Sequence, residues 1–265
     1  LILLIIAVCI VAYANGANAN FKGVASLFGS GTTSYRTAVN WAAVTTADGC
    51  LAAMFWNSTM LKAFSGKGLV PDALIAQPAF LLAVAGGAGL TGFLATRLGF
   101  PVSTTHMLTG ALLGAGWIAG DVNVAKLWEA FLKPLLLAPL LAVALGSVLQ
   151  LVLRPSAKRS RVLDALHFLS AGAVCFARGL NDTPKMAALL LGIGWLQGSA
   201  GMFLIAVAMA LGGLISAKQV AETLAHKITD MNPGQGFAAN LATALLVTTA
   251  SLHGLPVSTT HVSVG

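Results

Sequence analysis

The chain has 265 residues, of which 57% are apolar and only 9% charged, and its formal net charge is +7. Soluble domains carry about 25% charged residues, so the composition excludes a soluble domain. It also excludes a nucleic-acid partner, because nucleic-acid binding needs a basic face on a soluble fold. Long apolar runs with few charges predict an all-α, multi-pass protein of the cell membrane, surrounded by lipid.

The first half alternates apolar segments with short polar ones. Residues 1–14 predict the end of a membrane helix, and residues 15–33, rich in Gly, Asn, Ser and Thr, predict a broken or irregular stretch. The segments that follow are a span at 38–64, a loop at 65–72, a span at 74–96, a helix with a polar start at 101–119 and a span at 127–153 with Pro134 and Pro139 inside it.

A basic connector at residues 154–161 separates the halves, with Arg154, Lys158, Arg159 and Arg161 close together. The positive-inside rule predicts that this connector is cytoplasmic. The domain boundaries are therefore 1–153 for the first membrane repeat and the helix after it, and 162–265 for the second repeat. In the second repeat the apolar segments are 162–177, 186–195, 201–215 and 236–252, and the polar segment 218–234 is predicted to lie at the surface or an interface.

The hexapeptide Pro-Val-Ser-Thr-Thr-His occurs twice, at residues 101–106 and 256–261. Each copy follows a Gly-x-Asn element, at residues 16–22 and 179–185, so the order of motifs is the same in both halves. Duplicated membrane units with interrupted helices are typical of secondary transporters, whose substrate site lies at the repeat interface. The sequence leaves open whether four or five segments cross between the two elements, and so whether the repeats are parallel or inverted.

The hexapeptides predict helix N-termini. Pro favours the first helical position, and Ser or Thr satisfies free backbone N–H groups there. Such a terminus in apolar surroundings also attracts anions. Two converging copies predict a site for a tetrahedral oxyanion, with hydroxyl donors from Ser103, Thr104, Thr105, Ser258, Thr259 and Thr260. The simpler alternative is that these residues only cap buried helices, and that His106 and His261 are structural.

The Gly-x-Asn elements predict a cation site beside the anion site. Asn18 and Asn181 occupy equivalent positions and can donate to an anion or coordinate a cation. Asp182 is costly at membrane depth, which makes a functional role the default. Oxygen ligands from Asn and Asp suit a small hard cation such as sodium. Lys22 and Lys185 also match each other and are charge partners of the site, unless they only anchor their helices at the interface.

These four motif sites resemble the inorganic phosphate transporter (PiT) family, whose signature in each half is Gly-Ala-Asn-Asp-x-x-Asn followed by Pro-x-Ser-Thr-Thr-His. The resemblance covers nearly the whole chain. It implies a multi-pass membrane protein of inverted repeats that imports phosphate together with sodium ions or protons. It further implies a homodimer, no enzymatic activity, no resident cofactor or metal, and terminal helices that lie outside this sequence.

Two departures from the family pattern bear on ion coupling. Ala19 stands where the family has Asp, whereas the second half keeps Asp182. The family's second Asn is Lys in both halves, at Lys22 and Lys185. Asp182 and Lys185 are close enough to pair on one helical turn, but Lys22 has no such neighbour. The sequence therefore suggests that Lys22 supplies a positive charge that a cation supplies in other members.

Three other functions remain open from the sequence. Sulfate is the nearest alternative substrate; it lacks the P–OH donor that Asp182 could accept, so a carboxylate favours phosphate. A membrane enzyme acting on phosphorylated lipid would need a nucleophile or metal cluster, and the sequence offers only isolated Ser, Thr and His residues. A passive channel would differ from a symporter in failing to accumulate its substrate.

Overall fold

A computed structural model describes residues 1–56, 58–120, 122–153 and 160–264, which form helices and turns without a β-strand. The predicted all-α class is therefore confirmed. Within the described residues, five helical segments are long and apolar enough to cross a membrane. They are Ile2–Gly23, Pro78–Arg97, Val124–Leu153, Arg161–Leu190 and Ser199–Ser216.

The helices are numbered in chain order. The first half contains α1 Ile2–Ala19, α2 Ala25–Gly29, α3 Tyr35–Trp56, α4 Ser58–Phe64, α5 Asp72–Ile75, α6 Pro78–Arg97 and α7 Thr104–Ala119. After it come α8 Val124–Leu127, α9 Lys133–Leu153, α10 Arg161–Ala187, α11 Ser199–Ser216, α12 Lys218–His226, α13 Pro233–Leu252 and α14 Thr259–Val264.

Local sequence accounts for the ends of the helices that matter most for the site. Ser103 caps the N-terminus of α7, and Gly120 ends that helix with a φ of 99°, in the left-handed region that favours glycine. At α13, Asn232 and Gln235 form a capping box and Pro233 takes the first helical position. Local sequence therefore accounts for where α7 begins and ends and for where α13 begins.

Three predicted segments differ from the structure. The break predicted at 15–33 begins later, because α1 stays helical to Ala19 and gives way to a 3-10 turn at Asn20–Gly23. The apolar segment 186–195 is not a separate helix, because its first two residues end α10 and the rest includes the 3-10 turns Ala188–Leu190 and Gly194–Leu196. The span predicted at 38–64 is divided between α3 and α4.

The second Gly-x-Asn element, unlike the first, lies wholly inside one continuous helix, since α10 runs to Ala187 with Pro184 in its interior. A proline in a helix removes one hydrogen bond, so sequence alone favoured an interruption. Most helical stability in proteins comes from tertiary packing, and every residue of α10 from Ala177 to Ala187 is buried. Packing therefore outweighs the local cost of Pro184.

The two halves pack in equivalent ways. Within each half, α1 packs against α6 and α10 against α13; between the halves, α1 packs against α11 and α10 against α3. Gly16 permits the close contact between α1 and α11, because a Cβ there would collide with the Met209 carbonyl. Gly179 permits the close contact between α10 and α3, because a Cβ there would collide with the Thr46 carbonyl. Both Gly-x-Asn elements are thereby held in the centre of the molecule.

The inverted orientation of the repeats remains a prediction. So does the cytoplasmic position of the basic connector, since residues 154–159 lie outside the described residues.

Candidate functional site

A cluster of buried polar side chains lies where the two hexapeptides meet the two Gly-x-Asn elements. Most of these side chains hydrogen-bond to others in the cluster or to the backbone around it. Its buried members are Asn15, Asn18, Lys22, Ser103, Thr104, Thr105, Arg178, Asn181, Asp182, Lys185, Ser258, Thr259 and Thr260. The cluster contains every residue that the sequence proposed for substrate or cation binding, together with Asn15 and Arg178, which it did not.

The two hexapeptides are in contact with each other. The imidazole rings of His106 and His261 have centroids 4.6 Å apart. Ser103 Oγ accepts a hydrogen bond from the backbone N–H of His106 at 3.3 Å, and Ser258 Oγ accepts one from that of His261 at 3.1 Å. The serines therefore have the capping role that the sequence offered as the simpler alternative, which leaves the threonines as the hydroxyls facing the rest of the cluster.

Lys22 joins the two halves. Its ammonium group donates to the Val102 carbonyl at 2.7 Å and to Thr260 Oγ1 at 2.6 Å. Thr260 Oγ1 in turn donates to the Val102 carbonyl at 3.1 Å. A lysine of the first repeat thus binds its own hexapeptide through a backbone oxygen and the other hexapeptide through a hydroxyl.

Lys185 repeats this arrangement from the second half. Its ammonium donates to the Val257 carbonyl at 3.1 Å and to Thr105 Oγ1 at 2.7 Å. Thr105 Oγ1 donates to the Val257 carbonyl at 2.7 Å. Lys22 and Lys185, with their two carbonyls and two threonines, form a crossed pair of contacts that we call the lysine clasp.

Asp182 lies at the centre of the second half of the cluster. Its Oδ2 accepts hydrogen bonds from Asn15 Nδ2 at 3.2 Å and Thr104 Oγ1 at 3.1 Å. Its Oδ1 accepts from Lys185 Nζ at 3.2 Å, and Arg178 Nη1 lies 3.8 Å from Oδ2. Buried carboxylates persist only when paired and hydrogen-bonded, and Asp182 meets both conditions. The pairing with Lys185 follows the spacing noted in the sequence.

The two asparagines hold the segments that precede the hexapeptide helices. Asn18 Nδ2 donates to the Phe100 carbonyl at 2.8 Å, and its Oδ1 accepts from the Val102 N–H at 2.8 Å. Asn181 Nδ2 donates to the Val257 carbonyl at 3.3 Å, and its Oδ1 accepts from Ser251 Oγ at 3.2 Å. In this arrangement both amides position backbone, and their binding of phosphate or of a cation remains a prediction.

Arg178 is the main residue that the sequence reasoning missed. It is 0% exposed and donates from Nη1 to Asn15 Oδ1 at 2.9 Å and from Nη2 to Asn20 Oδ1 at 3.2 Å. It therefore connects α10 to the first Gly-x-Asn element. A signal was present, because an arginine one helical turn before Asp182 is placed to pair with it.

The cluster carries an excess of positive charge. Apart from histidine, the charged side chains buried within the described residues are Lys22, Arg178, Asp182 and Lys185. Three basic side chains face one carboxylate, an excess of two in formal charge. Unpaired charge is expensive at membrane depth, so a cluster of ammonium groups and hydroxyl donors is suited to an anion that neutralises it.

Membrane-spanning helices around a buried, charged polar cluster between two equivalent halves define a multi-pass membrane protein of the transporter class. The model of the Phosphate transporter family matches residues 15–161 and 154–265. The chain belongs to that family, which confirms the resemblance drawn from the motifs.

Two relatives of this chain differ in the anion that their names give. The chain is 30% identical, over 219 residues, to a probable low-affinity inorganic phosphate transporter of Rhizobium meliloti (strain 1021), with 76% of this chain and 65% of the relative covered. It is 28% identical, over 257 residues, to the sulfate permease CysP of Bacillus subtilis (strain 168), with 94% of this chain and 70% of the relative covered. The chain thus spans slightly less than two thirds of the Rhizobium relative's length.

A solved structure has the same fold. The chain superimposes on a structure described as the sodium-dependent phosphate transporter with a TM-score of 0.84, covering 99% of this chain and 87% of that one, at 21% identity. The matched family and these relatives are transporters, in agreement with the prediction that the chain is not an enzyme.

Proposed function

We propose that the protein is a secondary active transporter that imports inorganic phosphate across the cell membrane by symport with a cation, either sodium or a proton. The observation that carries this proposal is the lysine clasp, in which ammonium groups and threonine hydroxyls from both repeats converge in a buried cluster with an excess of positive formal charge. Membership of the Phosphate transporter family supports phosphate as the substrate.

The anion binds between the hexapeptides in this proposal. Thr105 and Thr260 exchange their clasp contacts for contacts with the phosphate oxygens, and Lys22 and Lys185 donate to the same anion. Charge-assisted hydrogen bonds are roughly twice as strong as neutral ones, so the ammonium groups supply most of the affinity. Asp182 accepts from the P–OH group that phosphate carries near neutral pH.

Cation coupling is assigned to the same cluster. Asn18, Asn181 and Asp182 are the candidate oxygen ligands, and Asp182 is the one that carries charge. An inverted arrangement of the repeats then allows the site to face each side of the membrane in turn. The homodimer implied by the family resemblance is part of this proposal and awaits a measurement of mass in detergent or lipid.

Sulfate is the second candidate substrate. The match to a sulfate permease over 94% of this chain favours it. Because sulfate offers no proton to Asp182, its transport would need that carboxylate to turn away from the anion or to be protonated.

Radiolabelled uptake into proteoliposomes tests the proposal. Phosphate uptake that accumulates against its gradient under an imposed sodium or proton gradient, and that excess sulfate fails to inhibit, supports the phosphate symporter. Inhibition by sulfate together with direct sulfate accumulation would favour the second candidate. Equilibration without accumulation would identify a passive pathway and contradict symport.

A further inference from the structure

Where the two hexapeptides contact each other, the oxygen atoms that would suit a sodium ion accept hydrogen bonds from lysine. Sodium sites in broken-helix transporters use backbone carbonyls and side-chain oxygens. Here the Val102 carbonyl and Thr260 Oγ1 both bind Lys22 Nζ, and the Val257 carbonyl and Thr105 Oγ1 both bind Lys185 Nζ. Each ammonium nitrogen therefore stands at the point where a bound cation would stand.

We propose that Lys22 and Lys185 are resident cations that replace co-transported sodium, so that this protein carries a doubly charged tetrahedral oxyanion without sodium. The inference rests on the proposed function and narrows it, because it leaves the proton as the coupling cation. It identifies the lysine clasp as the part of the site that sets both the charge of the substrate and the ion dependence.

Charge in the cluster supports the replacement. A co-transported sodium ion brings positive charge to the site and leaves with the anion, whereas a lysine ammonium stays in the site with the protein. Arg178 and Lys185 both lie beside Asp182, and Lys22 and Lys185 each bind a threonine of the opposite hexapeptide, so the four charged groups are buried in one cluster. Adding a sodium ion to this cluster would place a further positive charge in a buried region, which like-charge repulsion opposes.

The two lysines differ in the charge of the groups that their ammonium nitrogens contact. Lys185 has Asp182 as a carboxylate partner at 3.2 Å, whereas the partners of Lys22 in the described part of the chain are the neutral oxygens of Val102 and Thr260. In the described part of the chain, Lys22 therefore has no carboxylate in direct contact that an incoming anion would have to displace, whereas Lys185 does.

Lys22 is also placed where an ion can reach it. It is 6% exposed, against 0% for Lys185, and it lines a small cavity of about 60 Å³ together with Ser26, Asn240 and Ser263. An anion that entered through that cavity would meet Lys22 before Lys185.

The wild-type protein gives the first test, and it does not depend on any variant. Uptake of phosphate and of sulfate is measured in proteoliposomes under a fixed proton gradient, with external sodium replaced by N-methyl-D-glucamine. The inference predicts unchanged uptake after the replacement. Uptake that requires sodium overturns it while leaving the proposed transport intact, whereas no uptake of either anion under any gradient rejects the proposed function itself.

Variants of Lys22 give the second test. Lys22→Gln removes the charge and should weaken anion binding by purified protein about tenfold or more, whereas Lys22→Arg should retain most of it. Lys22→Asn frees the Val102 and Thr260 oxygens, so sodium should now restore part of the lost uptake. Lys62→Gln, at an exposed lysine, is the matched control and should behave as wild type. Wild-type affinity in a folded Lys22→Gln protein overturns the inference.

Discussion

The two Gly-x-Asn elements form the same contacts with different charges. In the second element Asp182 compensates Lys185 and approaches Arg178. In the first, Ala19 occupies the place of that carboxylate, and Lys22 binds neutral oxygens in the described part of the chain. The comparison teaches that the lysine clasp depends on the lysines and threonines, whereas the residue after each Asn sets the net charge that an anion must balance.

The largest expected effect comes from removing the charge that distinguishes the second element. Asp182→Asn leaves the buried cations Lys185 and Arg178 without their carboxylate, and breaking a buried ion pair costs about 3–5 kcal/mol of stability. We expect driven uptake to be abolished at matched expression. His106→Gln, next to the site but outside the ion pairs, should do much less harm. Near-normal uptake by Asp182→Asn would remove this carboxylate from the coupling mechanism.

The packing of the two elements should be equally sensitive in both halves. Gly16→Ala and Gly179→Ala each push a methyl group into a backbone carbonyl of a neighbouring helix, and overpacking costs about 1–3 kcal/mol. Thermal unfolding in detergent should show a lower midpoint for both. Gly114→Ala, in α7 with open space around it, is the control. A loss of stability in one half alone would contradict the equivalence of the two packings.

A smaller effect is expected from making the first element resemble the second. Ala19→Asp places a carboxylate three residues before Lys22, where the two can pair as Asp182 pairs with Lys185. One charge-assisted contact is worth about 1.5–3 kcal/mol, or roughly tenfold or more in affinity. Anion affinity should fall, and uptake should become more dependent on sodium or proton concentration.

The measurement is uptake against cation concentration for both proteins. Identical curves from equally well-folded samples would show that the residue at position 19 does not affect ion coupling.

The smallest effect is expected from the hydroxyls of the clasp. Thr105→Val and Thr260→Val each remove a hydroxyl that accepts a hydrogen bond from a lysine ammonium and that would donate one to the bound anion. Each variant should weaken anion binding several-fold, and the two effects should be similar in size. Calorimetric titration with phosphate and sulfate measures this. If only one of the two variants weakened binding, the anion would have to contact a single half.

The sequence predicted the class and family of the protein, because repeated motifs and polar residues in apolar runs are local signals. The residues that it proposed for binding lie together in the cluster, and their binding roles remain predictions. The sequence could not predict that the helices carry both Gly-x-Asn asparagines without a break. That outcome depends on the close approach of α1 to α11 and of α10 to α3, which Gly16 and Gly179 permit. The crossing of each lysine to the opposite hexapeptide was also hidden, because it joins Lys22 to Thr260, 238 positions away.

Arg178 shows a further limit of the sequence. It stands just after an apolar segment, where snorkelling to the interface is the ordinary expectation for a long basic side chain. Its burial follows from its acceptors, since Asn15 and Asn20 come from the other repeat. The sequence alone gives no way to identify these residues as hydrogen-bond partners.

A structure of the protein with a bound tetrahedral dianion would show whether both lysines of the clasp bind the anion. Selenate is suitable because its anomalous scattering identifies the site. We predict one anion between the hexapeptides, within hydrogen-bonding distance of Lys22 Nζ, Lys185 Nζ and the hydroxyls of Thr105 and Thr260. An anion bound entirely within one half, or away from both lysines, would contradict the account.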